Sequence, residues 1–286
     1  MMARRAAVLL PPWLWLLFLV AAPVAVLLAI ALAAPGDGVP PVSPPFRWEG
    51  GRPVWQGGEA LEVLREEGWH LAAFLRSFRT AILTALACLL LAYPMALGIA
   101  RARPERRTLL LALVLLPFWT GFLPRVGAWI GLLRDGGWVN GVLMGLGLVE
   151  SPVPLLYTDG ALLLGMVHAY LPFAVLPLVA ALTRLDPSLE EAAADLGASP
   201  AAAFRTVVLP LTLPGAAAGF LLVFIPAMGE VVIPELLGPP EARLVGRVLW
   251  EEFFRNRDWP LAAAVAVLLL LVLIPPIRLF QRLEAR

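Results

Sequence analysis

The sequence predicts an all-α membrane protein with six transmembrane helices, and its composition and hydropathy pattern support this prediction. Hydrophobic residues make up 60% of the chain and charged residues only 15%. Long uncharged runs recur at lengths that cross about 30 Å of hydrocarbon at about 1.5 Å per helical residue. They are apolar along their whole length, whereas barrel strands alternate over about ten residues. The predicted spans are Ala6 to Gly36, Thr80 to Ala100, Thr108 to Pro124, Gly160 to Thr183, Thr206 to Gly229 and Trp259 to Ile277.

Arginine predicts the orientation of these spans, because the chain contains no lysine. Arginines precede the first span, separate the second from the third, and follow the last, whereas the opposite loops mix arginines with acids. Loops rich in basic residues stay on the cytoplasmic side. We therefore expect cytoplasmic N- and C-termini and a cytoplasmic loop between spans four and five. The three clusters are Arg4 and Arg5; Arg101, Arg103, Arg106 and Arg107; and Arg278, Arg282 and Arg286.

The first apolar run could be read as a cleavable signal peptide, since Arg4 and Arg5 precede it and an Ala-Leu-Ala sequence ends at Ala33. However, the run is much longer than a signal core of about 7 to 15 residues. We therefore predict a retained first transmembrane helix at residues 12–34. Residues 35–79 are expected to form an external loop rich in Pro and Gly and then an amphipathic interfacial helix, with Trp69 as an anchor.

A polar segment between spans four and five carries its own helix start and stop signals. Asp186 precedes Pro187, which suits the start of a helix, and Gly197 can end that helix in a left-handed conformation. Ser199 and Pro200 begin a second helix, which we expect to stop before Pro210 because proline lacks an amide hydrogen. The prediction is a water-exposed helix–turn–helix at residues 187–209, here called the bracket.

The spacing within the bracket resembles the EAA signature of permease subunits of bacterial ABC importers. A Glu-Ala-Ala run alone is also simply a good helix former. The resemblance is specific because the run is followed at family spacing by a glycine, an apolar residue and Leu-Pro, between two predicted spans. It implies that the bracket docks on a cytoplasmic ATPase. The residues implied in this coupling are Glu190, Glu191, Ala192, Ala193, Asp195, Gly197, Leu209 and Pro210.

The strongest indication of a substrate path is the segment from Ile225 to Gly238. Its prolines and Gly229 leave backbone groups unpaired, and Glu230 places a carboxylate in the outer part of span five. Acids at such depth usually face a cavity or a partner. The alternative is a kink sealed by helix packing, with a protonated Glu230.

A closer resemblance links the chain, from about span two to the end, to permeases of putrescine and spermidine importers. It implies a single permease domain over residues 1–286 with its core at 80–286, a type I importer fold, and a bacterial inner-membrane location. It also implies a second, different permease chain, an ATPase dimer and an external binding protein as partners. The motifs that carry it are Phe224, Pro234 to Gly238, Gly246 to Trp250, Phe253 to Pro260, Pro117 to Trp119 and Ala128 to Leu133.

In this interpretation the substrate is a cationic polyamine. Carboxylates would attract its ammonium groups, and aromatic faces would hold them through cation–π contacts. The candidate path residues are the acids Glu230 and Glu235 and the aromatic residues Trp119 and Trp129. Arg125 interrupts the apolar pattern after span three. It is interpreted either as a side chain that reaches the headgroups or as a partner of an acid in a neighbouring span.

The sequence also excludes several functions. It has no G-x-x-x-x-G-K-[ST] motif, so we expect no ATP hydrolysis and no cofactor on this chain, with ATP–Mg on the partner ATPase. The net charge of +1 gives no reason to expect nucleic acid binding, and His70 and His168 lack metal-ligand spacing. Open alternatives are an importer permease for an anion or metal ion complex, an ion-coupled carrier, and a membrane scaffold.

Overall fold

A computed structural model describes residues 2–66 and 68–284, and most of these residues are helical. Three π-helical turns, Leu17–Ala21, Phe204–Val208 and Glu251–Asn256, lie within or between the α-helices. The helices are α1 (Met2–Leu16), α2 (Ala22–Ala31), α3 (Glu59–Glu66), α4 (Gly68–Arg101), α5 (Pro104–Trp119), α6 (Phe122–Leu133), α7 (Trp138–Gly145), α8 (Asp159–Thr183), α9 (Ser188–Asp195), α10 (Pro200–Ala203), α11 (Leu209–Met228), α12 (Val232–Leu237), α13 (Val245–Trp250) and α14 (Trp259–Glu284).

Within the described residues, five continuous helical stretches are long and apolar enough to cross a membrane. A sixth crossing is formed if α5 and the α6–α7 segment, which are bent by 85° relative to each other, count as one span. The all-α membrane fold predicted from the sequence is therefore confirmed. The continuous stretches are Leu9–Ala31, Gly68–Arg101, Asp159–Thr183, Pro200–Met228 and Trp259–Arg282.

The third span differs from its prediction, which continued it to Pro124. Helix α5 instead ends at Trp119, because Thr120 adopts an extended conformation with φ −83° and ψ 143°. The Thr120 hydroxyl donates a hydrogen bond to the Pro117 carbonyl at 2.7 Å and so satisfies one carbonyl near the helix end. The chain then turns into α6, which makes this span a bent pair of helices.

The chain divides into two compact units. The first contains the residues up to Phe74 together with Val245–Val272. Two short hairpins that the sequence did not predict lie here: β1 (Ala34–Pro35) with β2 (Val42–Ser43), and β3 (Phe46–Glu49) with β4 (Arg52–Trp55). Small side chains fill part of its core and allow close packing. They include Ala31, Ala60, Ala263 and Ala264, which cluster with Leu261.

The region at the end of the 35–79 segment in which we expected an interfacial helix is divided between the short helix α3 (Glu59–Glu66) and the start of α4. Helix α4 runs without a break from Gly68 to Arg101, across the predicted boundary at 79/80. Small and apolar residues continue along one buried face of α4 through this boundary, from Ala73 to Ala81 and Ala85. The helix is therefore longer than the apolar run that predicted it.

The second unit contains Leu75–Leu244 and Leu273–Arg286, and helices α8 and α11 pack together within it. Gly215 and Gly219 make this close approach possible, at the four-residue spacing that is common between membrane helices. A Cβ atom on Gly215 would lie 2.5 Å from the Ala181 Cβ, and one on Gly219 would lie 3.1 Å from the Ala174 carbonyl oxygen. Side chains larger than hydrogen would force the two helices apart.

The second bracket helix does not stop before Pro210, so that prediction is wrong. Helix α10 passes through the π-helical turn Phe204–Val208 directly into α11, and the whole stretch from Pro200 to Met228 is one 29-residue helix. Proline lacks an amide hydrogen and its ring clashes with the carbonyl four residues earlier. The wider π-helical turn, in which the Leu209 amide donates to the Phe204 carbonyl, accommodates Pro210 without ending the helix.

Candidate functional site

The start of the bracket has the capping geometry that the sequence predicts. The Asp186 carboxylate accepts a hydrogen bond from the Ser188 amide at 3.0 Å and so caps α9. This backbone hydrogen bond holds the pKa of the exposed Asp186 carboxyl below its usual value. Glu190 and Glu191 follow in the first turn of α9, where the positive end of the helix dipole stabilises negatively charged side chains.

The turn of the bracket depends on Gly197, which has a φ angle of +86°. The Gly197 amide donates to the Ala194 carbonyl at 2.8 Å, and the Ala198 amide donates to the Ala193 carbonyl at 3.0 Å. This pair of bonds is a Schellman motif, which closes α9 as predicted. Ser199 then caps α10 by accepting a hydrogen bond from the Ala202 amide at 3.3 Å.

The bracket exposes most of its motif residues. Glu191, Ala192 and Asp195 are exposed, and Glu190 and Ala193 are half-buried. Leu196, which the sequence prediction did not include, is 90% exposed at the tip beside Gly197. Leu209 and Pro210 begin α11, where Leu209 is half-buried and Pro210 is exposed. The tip therefore presents an exposed apolar side chain directly after the exposed Asp195.

One ion pair connects the bracket to the inner end of α4. The Arg101 guanidinium contacts the Glu190 carboxylate at 2.5 Å, with 56% and 30% of the two side chains exposed. An exposed pair of this kind contributes about 0 to 1 kcal/mol. Its main effect is therefore to orient α9 relative to α4. The sequence interpretation had treated Arg101 only as a determinant of topology.

Glu230 lies at the break between α11 and α12 and caps the second of these helices. One oxygen, Oε1, accepts hydrogen bonds from the amides of Val231, Val232 and Ile233 at 3.2, 3.0 and 3.3 Å. The other oxygen, Oε2, accepts a hydrogen bond from the Tyr170 hydroxyl of α8. The carboxylate thus pairs three amide groups that the broken helix leaves without intrahelical partners.

Two groups of rings from α5, α6 and α8 lie in the second unit, and all their members except the buried Tyr170 are half-buried. Phe118 meets Phe173 edge-on at 5.2 Å between centroids, and Phe173 lies 6.3 Å from Tyr170, the hydrogen-bond partner of Glu230. Trp129 contacts His168 edge-on at 5.5 Å. We call this set the aromatic surface: Phe118, Phe122, Trp129, His168, Tyr170 and Phe173.

The four predicted path residues do not share one contact cluster. Glu230 connects to the aromatic surface through Tyr170, and Trp129 belongs to that surface. Trp119 is 80% exposed at the end of α5 and makes no ring contact with any residue in the described ranges. Glu235 lies on the exposed side of α12. Their roles in a substrate path remain predictions.

Arg125 takes a position that neither sequence interpretation described. Its guanidinium carbon lies 4.9 Å from the centroid of the Phe118 ring and 5.7 Å from that of Phe122. Its Nε and Nη1 atoms are buried, with no hydrogen-bond partner among residues 2–66 and 68–284. The side chain is therefore held by aromatic faces instead of by a carboxylate.

Sequence reasoning did not identify Tyr170, Phe118 or Phe173 as part of this site. Tyr170 carried a usable signal, because a phenolic hydroxyl inside an apolar span needs a hydrogen-bond partner. Its partner Glu230 is 60 residues away. Only the packing of α8 against α11 and α12 brings the two side chains together.

Comparison with known proteins assigns the family. Residues 68–286 match the family described as binding-protein-dependent transport system inner membrane component, and the chain belongs to this family. The predicted family and the multi-pass inner-membrane location are thereby confirmed.

Two relatives and one solved structure add detail. The chain is 39% identical over 204 residues to the spermidine/putrescine transport system permease protein PotB of Escherichia coli (strain K12). The aligned region covers 71% of this chain and 74% of that protein. It is 44% identical over 180 residues to PotB of Haemophilus influenzae (strain ATCC 51907 / DSM 11121 / KW20 / Rd), with 63% of each chain covered. A chain with a similar fold occurs in the crystal structure of a bacterial alginate ABC transporter in complex with an alginate pentasaccharide-bound periplasmic protein. The two chains superpose with a TM-score of 0.73 at 18% sequence identity, and the superposition covers 98% of this chain and 95% of that chain. This similarity confirms the predicted type I importer fold.

Proposed function

We propose that the chain is the permease subunit of an ATP-driven importer that carries a polyamine such as spermidine or putrescine. The observation that carries this proposal is the Glu230 carboxylate beside the aromatic surface. Ammonium groups are attracted both to carboxylates and to the faces of aromatic rings. The similarity to permeases named for spermidine and putrescine supports the same substrate class.

The chain supplies the path, and other subunits supply the energy. ATP–Mg is hydrolysed by a separate ATPase dimer that docks on the bracket, and this chain has no catalytic role and no cofactor. A second permease chain, different from this one, completes the path, and an external binding protein delivers the substrate. The exposed Leu196 and the exposed acids of α9, Glu191 and Asp195, supply the surface that would enter an ATPase cleft.

The continuous helix from Pro200 to Met228 gives this coupling a mechanical route. It starts in the bracket and ends immediately before Gly229 and Glu230, and its 29 residues span about 40 Å at about 1.5 Å per residue. A movement of the bracket on ATP-driven closure would therefore tilt the outer end that carries Glu230. The substrate site and the ATPase contact would move as parts of one rigid element.

An anionic substrate is the second candidate, and Arg125 is the observation that favours it. Its guanidinium has two buried nitrogen atoms with no hydrogen-bond partner in the described ranges, and an anion could supply acceptors. Glu230 and the exposed Glu235 oppose this assignment, because carboxylates repel an anion.

Reconstituted transport distinguishes the two candidates. The whole transporter, with ATP inside proteoliposomes and the binding protein outside, should accumulate radiolabelled spermidine or putrescine but not molybdate. Accumulation should vanish without ATP or without the binding protein. A purified complex that lacks a nucleotide-binding subunit, or one that takes up molybdate and no polyamine, would overturn the proposed function.

A further inference from the structure

The bend between α5 and α6 folds an arginine back onto the aromatic ring that precedes the bend. Phe118 lies before the 85° turn and Arg125 after it. The guanidinium carbon is 4.9 Å from the Phe118 centroid and 5.7 Å from the Phe122 centroid. Both distances lie within the range of about 6 Å over which a cation is attracted to a ring face.

The polar contacts of this arginine are incomplete. Nε and Nη1 are buried and have no hydrogen-bond partner among the residues that the structure describes. A buried cation normally requires hydrogen bonds to acceptors as well as a favourable electrostatic contact. Ring faces give it the electrostatic contact but no hydrogen bonds to these two nitrogen atoms, so the guanidinium can leave this position at little cost whenever acceptors or water become available elsewhere.

The ring faces that hold Arg125 are the same type of surface that a polyamine would use. Phe118 contacts Phe173, which lies beside Tyr170, and Tyr170 donates its hydroxyl hydrogen to Glu230. An ammonium group that moves from Glu230 along these rings therefore reaches the faces that Arg125 covers. Two cations cannot share one ring face, because their charges repel each other at this distance.

We propose that Arg125 is a tethered competitor: it occupies the Phe118 and Phe122 faces when the path is empty, and the substrate must displace it. This inference rests on the proposed function, since only a cationic substrate competes with a guanidinium. It makes Arg125 a specificity-determining residue. When a monoamine displaces Arg125, its cation–π contacts only replace those of the guanidinium, so there is no net gain in binding free energy. A polyamine displaces Arg125 with one ammonium group while Glu230 binds another, so it gains the second contact.

Equilibrium binding to the complete purified transporter in lipid nanodiscs, without the binding protein, tests this role. Arg125→Met removes the charge and keeps an apolar stem of similar reach, whereas Arg125→Lys keeps a cation on the same rings. Arg125→Met should bind radiolabelled spermidine about tenfold more tightly than the wild type and should acquire measurable butylamine binding. Arg125→Lys, whose ammonium group can still compete for the rings although it does not stack as a guanidinium does, should bind spermidine less tightly than Arg125→Met. Equal or weaker spermidine binding by a normally folded Arg125→Met would overturn the proposal.

A measurement on the unaltered protein covers the case in which Arg125→Met does not fold. Phenylglyoxal modifies accessible guanidinium groups, and peptide mass spectrometry quantifies modification at Arg125. Modification should rise several-fold on addition of spermidine, because the displaced side chain becomes accessible. Unchanged or reduced modification in the presence of bound spermidine would contradict displacement.

The two proposals fail in different ways. If the wild type binds molybdate and no spermidine, and Arg125→Met loses that binding, the polyamine function is wrong and Arg125 is an anion ligand. If the wild type binds spermidine and the Arg125 variants bind it equally well, the polyamine function stands and the tethered competitor is wrong.

Discussion

Replacing Gly197 by valine should abolish coupled transport while the protein remains in the membrane. Gly197 has a φ angle of +86°, and a β-branched side chain is a clear outlier in this region. The strain is on the order of 1 to 2 kcal/mol, too little to unfold six spans but enough to break the two hydrogen bonds that close α9. The bracket helices would then tilt relative to each other, so uptake should fall at least tenfold at normal membrane abundance.

The matched control is Gly197→Asn, because asparagine tolerates the left-handed conformation much better than valine. No atom lies within 4 Å of the position that a Cβ atom would occupy, so the two variants differ in backbone strain and not in steric overlap with neighbours. Uptake and ATP hydrolysis are measured together in proteoliposomes. If the valine variant transports normally, the turn geometry has no role in coupling.

Replacing Glu230 by glutamine should lower polyamine uptake by about tenfold or more without loss of the fold. The amide oxygen can still accept the three backbone N–H groups, and the amide nitrogen can donate to the Tyr170 oxygen. Only the negative charge is lost. A hydrogen bond to a charged group contributes about 1.5 to 3 kcal/mol, which sets the size of the expected effect.

Two further variants separate charge from capping at this site. Glu230→Ala leaves three backbone amides without their hydrogen-bond acceptor, so it should lower the midpoint temperature of thermal unfolding as well as polyamine uptake. Tyr170→Phe removes one hydrogen bond and keeps both the charge and the cap, so it should affect uptake much less than Glu230→Gln. If Glu230→Gln transports polyamine as well as the wild type, Glu230 is a capping residue and not part of the path.

The bracket could be predicted from the sequence because its signals are local. Asp186, Gly197 and Ser199 each act within a few residues of their own position, through side-chain caps or a left-handed backbone. The same is true of the membrane spans, where a run of apolar residues determines both length and helicity. Local rules of this kind do not depend on which helices later pack together.

The site at Glu230 could be predicted only in part, because its contacts join distant segments. The unpaired amides of the broken helix were evident from Gly229 and the prolines, yet the hydroxyl that contacts the carboxylate comes from α8. Arg125 shows the same limit. Its position over Phe118 follows from a bend that the apolar pattern did not indicate.

Pro210 shows where a local rule was outweighed. Proline normally ends a helix, and the prediction that the second bracket helix stops before Pro210 relied on that rule. The π-helical turn Phe204–Val208 absorbs the irregularity and keeps the helix continuous. This continuity connects the bracket to the outer end of α11, and the proposed transmission of movement depends on it.

Photo-crosslinking from the tip of the bracket tests the central claim most directly. The test variant carries p-benzoylphenylalanine in place of Leu196, which is 90% exposed. The control variant carries it in place of Trp48, which is 72% exposed on the β3–β4 hairpin. In the assembled transporter, irradiation should join position 196 to the ATPase subunit, with a yield that changes on ATP binding, and should not join position 48 to it. A crosslink to the ATPase from position 48, or none from position 196, would contradict the account.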